Sequence, residues 1–79
     1  MLQITYQTTD KKSGITYTHT FEQTHQNLWV YEKKAYPDKN NLENVERLDG
    51  GLIDDYRKKE IEIELLEKRL NWKVTMRNI

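Results

Sequence analysis

The runs Leu2-Gln3-Ile4-Thr5-Tyr6-Gln7-Thr8 and Ile15-Thr16-Tyr17-Thr18-His19-Thr20-Phe21-Glu22 decide the fold. In the first, Leu2, Ile4, Tyr6 and Thr8 point one way and Gln3, Thr5 and Gln7 the other. In the second, Ile15, Tyr17, His19 and Phe21 share one face. A period of two is the signature of a strand with one buried side. Asp10-Lys11-Lys12-Ser13-Gly14 lies between them, and Gly14 can take the left-handed position that closes a short loop. The two runs predict a β-hairpin.

Working outward, Leu28-Trp29-Val30-Tyr31-Glu32-Lys33-Lys34 predicts a third strand, ended by Pro37. Residues 38–51 admit two readings. Asn40 with Glu43 resembles a helix cap, Leu42, Val45 and Leu48 recur every three residues, and Gly50-Gly51 would end a short helix. The rival is a hairpin turning at Asp49-Gly50-Gly51. The short helix is preferred. Residues 52–70, rich in Leu, Glu, Lys and Arg, predict the main helix, with Asp54 and Asp55 favouring its N-terminus through the dipole. Trp72, Val74 and Met76 alternate with Lys73, Thr75 and Arg77 and predict a final strand over 72–77. The expected architecture is α+β: one domain over 1–79, a small antiparallel sheet with one helix packed on a face.

The main helix carries two apolar faces. At 100° per residue, Leu52, Tyr56, Ile63, Leu66 and Leu70 form a stripe expected to cover the sheet. Ile61 and Leu65 fall on the opposite side, flanked by Arg57, Lys58, Lys68 and Arg69. Isolated exposed aliphatics are common, and Leu42, Val45 and Leu48 are another candidate cover. The functional reading is a partner-binding surface of Ile61, Leu65, Arg57, Lys58, Lys68 and Arg69 with an apolar centre and a basic rim.

Composition narrows the function classes. The 79 residues carry 13 basic and 13 acidic side chains, so net charge is zero, and mean hydropathy is −1.00. Neutrality weakens a nucleic-acid reading. Eight aromatic residues argue for folding over disorder. There is no cysteine, which removes disulfides and thiol chemistry. No window is apolar enough for a membrane span, and residues 1–6 do not resemble a secretory leader, so a cytoplasmic setting is expected. Abundant Asn, Lys, Ile and Gln beside a single alanine, Ala35, fit an AT-rich source such as a phage or mobile element.

Chemistry-bearing patterns are sparse. His19-x-x-Glu22-x-x-His25 would share a face on a helix, but on a strand Glu22 points away from both histidines, so a packed His19 is the better reading. Thr16, Thr18 and Thr20 form one rank, extended by Thr5, and are ordinary strand residues. Ser13 is the sole serine and sits in a turn. No phosphate loop or nucleophile motif occurs. The expectation is a non-enzymatic interaction protein, without cofactor, metal or small-molecule substrate. It would cover a partner surface as an inhibitor or accessory protein, or pair with itself as a homodimer. The alternative is nucleic-acid binding through Arg57, Lys58, Lys59, Lys73 and Arg77.

Overall fold

The computed structural model describes residues 1–37 and 43–79. Strands β1 (Leu2–Thr9), β2 (Thr16–His25), β3 (Leu28–Tyr36) and β4 (Glu46–Ile53) are followed by helix α1 (Asp55–Glu67) and strand β5 (Lys73–Asn78). They form one antiparallel sheet in the order β4-β3-β2-β1-β5. The sheet is thus larger than expected, and α1 carries the chain from one sheet edge to the other.

The β1–β2 hairpin pairs Ile4 with Phe21 and Tyr6 with His19. Asp10 organises its loop: its carbonyl accepts from the Gly14 N–H at 2.8 Å and its side chain from the Lys12 N–H at 2.9 Å. Gly14 has φ +74°, the left-handed geometry anticipated for it. The period of two puts Ile4, Tyr6, His19, Phe21, Trp29 and Tyr31 on one face, all buried. Ile61 and Leu65 of α1 complete the core.

That corrects the helix assignment. Ile61 is 7% and Leu65 2% exposed, whereas Leu52, Tyr56, Ile63, Leu66 and Leu70 are all exposed. The helix is turned over relative to the expectation. Part of the reason is its length. Leu52 belongs to β4 and Leu70 lies beyond the last turn, so a helix over 52–70 overstates the larger stripe. The rest is chemical: polar groups of α1 are used against the sheet. The Lys58 Nζ is 2.6 Å from Glu62 Oε1 and 4.6 Å from the centre of the Trp29 ring. Tyr6 donates its hydroxyl hydrogen bond to Glu62. The Trp29 indole donates to Asp55 Oδ1 at 2.5 Å. Half-buried Lys58 and Glu62 are tolerated because each has a partner and Lys58 rests on an aromatic face.

The second correction concerns β4. Among the described residues of 38–51, neither a short helix nor a turn at Asp49-Gly50-Gly51 forms: both glycines lie inside an edge strand. The Asn40 cap and Leu42 lie outside the described residues. A Cβ on Gly50 would stand 2.8 Å from the Tyr31 carbonyl oxygen and against the Arg47 guanidinium, and Gly51 has φ +151°. Gly50 therefore permits close backbone approach beside the register shift at Lys33/Lys34, and Gly51 supplies a positive φ there. Gly50→Ala should lower stability by about 1–3 kcal/mol, read as a lower urea midpoint at constant slope. An unchanged midpoint would show that the β3–β4 ladder yields freely.

Helix α1 starts on Asp54, whose side chain accepts the Arg57 N–H at 2.8 Å. The Asp55 N–H donates to Asn27 in the β2–β3 turn at 3.1 Å, so the helix start is tied to the sheet. At the other end, Lys68 caps the helix and Arg69 is left-handed at φ 52°. The Trp72 indole donates to the Leu65 carbonyl at 2.9 Å, and its ring meets Tyr6 and His19 edge-on.

Candidate functional site

With Ile61 and Leu65 in the core, the partner surface expected around them does not exist as a surface. The flanking cations disperse. Arg57 lies near Glu60 at 3.6 Å and Glu64 at 3.9 Å, Lys58 is turned under the helix, and only Lys68 and Arg69 stay together at its C-terminal end. The residues of the nucleic-acid alternative do not converge either. Arg57, Lys58 and Lys59 occupy successive positions around α1, while Lys73 and Arg77 alternate with Val74 and Met76 on β5, where the Arg77 Nε donates to Gln3 at 2.8 Å.

The second apolar face of α1 is real, but it is the other one. Tyr56 (73% exposed), Ile63 (55%) and Leu66 (61%) form a strip at seven- and three-residue spacing on the solvent side of α1, and Leu70, just past the helix end, is exposed as well. Edge strand β5 adds to it. Val74 pairs with Tyr6 and Met76 with Ile4, so both face the helix side of the sheet, yet both are exposed. Tyr6 reaches Glu62, which places the Glu62 flank of α1 over β1. Leu66, one turn beyond Glu62, and Ile63 follow further round that flank. The helix strip and the bare apolar positions of β5 are thus both exposed on the helix side of the sheet. The sequence contained this signal in Ile63, Leu66 and Leu70, but assigned it inward.

His19, Glu22 and His25 are not brought together. His19 is buried and shares a 2.7 Å hydrogen bond with the Tyr31 hydroxyl. Glu22 points to the opposite face, and His25 is exposed at the end of β2. Among the described residues there is no group of three or more His, Cys, Asp or Glu side chains placed to hold a metal ion. Burial, then the nearby Lys33 and Lys68 charges, lower the His19 pKa to about 4. Burial, then Asp49, raise the Tyr31 hydroxyl to about 12, and burial with Glu62 raises Tyr6 further.

The face of the sheet away from α1 is open and polar. Thr5 and Thr20 stand opposite one another with hydroxyls 3.5 Å apart, and Thr9 meets Thr16 at 2.9 Å. Thr75 of β5 aligns with Thr5, so the threonine array is wider than one rank.

A cleft opens where the C-terminal end of α1 passes the ends of β1 and β2. Its two hollows, about 640 and 270 Å³, share Thr8, Tyr17 and Leu70 as walls. Lys11 and Arg69 line the larger, and Lys33, Lys68, His19 and Trp72 the smaller. These cations are scattered through the chain, so no local pattern announced the cleft.

No helix among the described residues is long and apolar enough to cross a membrane. No family model, no curated protein and no solved structure matches this chain.

Proposed function

We propose that this protein is a non-enzymatic interaction module that binds another protein through the strip Tyr56, Ile63, Leu66 and Leu70 together with Val74 and Met76. The observation that carries the reading is the exposure of that strip on a small, strongly polar chain. Scattered exposed aliphatics need no explanation, but Tyr56, Ile63 and Leu66 along one helix, with Leu70 just past its end and Val74 and Met76 bare on the same side of the sheet, resemble an interface core. The partner the strip fits first is a second copy. Zero net charge does not oppose self-association, and a two-fold axis would lay one strip against the other. Such a module acts by covering its partner, as an inhibitor or accessory subunit does, and we place it in the cytoplasm. Neither a nucleic-acid role nor an enzymatic one has a comparable observation behind it.

Light scattering on a sizing column is the test. The parent should elute at twice the 9.6 kDa monomer mass at low and moderate salt. Ile63→Asp with Leu66→Asp should return it to monomer with an unchanged circular dichroism spectrum. A parent that stays monomeric up to about 100 µM would remove the self-pairing reading. A double variant that remains dimeric would remove the strip from the interface.

A further inference from the structure

We infer that the cleft at the C-terminal end of α1 is a binding site for a small, multiply charged anion, phosphate or polycarboxylate, joined to an apolar body. Lys11, Lys33, Lys68 and Arg69 line it, and among the described residues none of the four has an ion-pair partner. On α1, Arg57 has Glu60 and Glu64 and Lys58 has Glu62, while Lys59, away from the cleft, has no ion pair among the described residues. Asp10 also lines the larger hollow and keeps its negative charge while accepting the Lys12 N–H, so the lining carries four cations against one carboxylate. Asp49, paired with Lys33 across β3 and β4, accepts the Gly50 N–H and forms no ion pair with Lys33.

The helix end accounts for only part of this charge. C-terminal carbonyls carry partial negative charge and favour Lys68 and Arg69 nearby. Lys11 and Lys33 come from the hairpin loop and from β3, where no helix terminus calls for them. Arg69 also holds a left-handed backbone, φ 52°, that arginine adopts at a cost. The site is more than a charged surface. The Thr8 and Tyr17 hydroxyls supply donors, and the Tyr17 ring, Leu70 and Trp72 supply apolar wall. A hollow of about 640 Å³ far exceeds one phosphate group and is in the range of small-molecule sites.

The test is a titration followed by amide and indole NMR signals, at constant ionic strength, with three probes: pyrophosphate, citrate and adenosine 5′-diphosphate. The expected result is saturable shifts at Thr8, Tyr17, Arg69 and the Trp72 indole, tightest for the probe with an organic body. Pyrophosphate exceeding citrate would assign the source as phosphate, and the reverse as carboxylate. Lys68→Ala with Arg69→Gly should weaken binding at least about tenfold. Gly suits the left-handed position, so this variant should melt no lower than the parent. Lys73→Ala with Arg77→Ala should leave binding unchanged. No saturation by about 10 mM probe, or equal weakening by both double variants, would overturn the site.

Discussion

Leu65→Asp is expected to abolish the cooperative thermal transition, while Leu66→Asp, one residue on, is expected to melt close to the parent. Leu65 is 2% exposed and packs in the cluster with Phe21 and Tyr31, whereas Leu66 is 61% exposed. Truncating a buried leucine costs about 2–5 kcal/mol, and an unpaired buried carboxylate adds several more. A domain of this size has a total stability of about 4–12 kcal/mol, so the first change consumes most or all of it. A solvent-side substitution stays within about 0.5 kcal/mol. Leu65 has a second task, because its carbonyl accepts the Trp72 indole and so anchors the chain as it enters β5. Circular dichroism melts on dilute protein, where self-association drops out, are the measurement. The opposite ranking would mean that α1 lies on the sheet through Ile63 and Leu66.

That pair of substitutions also marks where the sequence was legible. The β1–β2 hairpin could be read because alternation and a glycine-bearing loop pointed to the same structure, and both edges of the expected third and final strands fell within two residues of β3 and β5. The helix could be found, but not its rotation. Counting aliphatics over 52–70 favours the face that contains Leu52 and Leu70, and neither belongs to the helix. The buried face holds Ile61 and Leu65 together with Lys58 and Glu62. A pattern of apolar and polar letters assigns those two charges to solvent. Only the partners on the sheet, Tyr6 and the Trp29 ring, reveal why they lie inward. Strand β4 was hidden for a related reason. Its glycines read as punctuation along the chain, yet Gly50 serves the approach to the Tyr31 carbonyl across it and Gly51 a positive φ within the strand. The candidate surfaces followed suit: the strip was visible but assigned to the core, and the anion cleft draws on residues from four separate segments.

Acid should destabilise this fold earlier than its carboxylates alone would. His19 is 4% exposed, faces the Tyr31 hydroxyl and the Trp72 ring, and has Lys33 and Lys68 as its nearby charges. Its pKa falls from 6.5 to about 4, because burial and then those two cations penalise the imidazolium. Between these values the unfolded chain binds a proton that the folded chain does not. Stability therefore rises with pH across that window: it is complete above 6.5 and is lost as pH falls towards 4. The loss is roughly 3 kcal/mol at 1.36 kcal/mol per unit. The alkaline side mirrors it. Tyr31 ionises near 12 when folded, so the unfolded chain releases its proton first and stability falls as pH rises above 10. Urea unfolding at a series of pH values isolates the histidine when the parent is compared with His19→Gln. The stability difference between the two proteins should shift by roughly 3 kcal/mol from pH 7 to pH 4, with the parent losing ground. A difference that stays constant would mean that His19 takes its proton while folded, and that its contact with the Tyr31 hydroxyl opens to water before the core does.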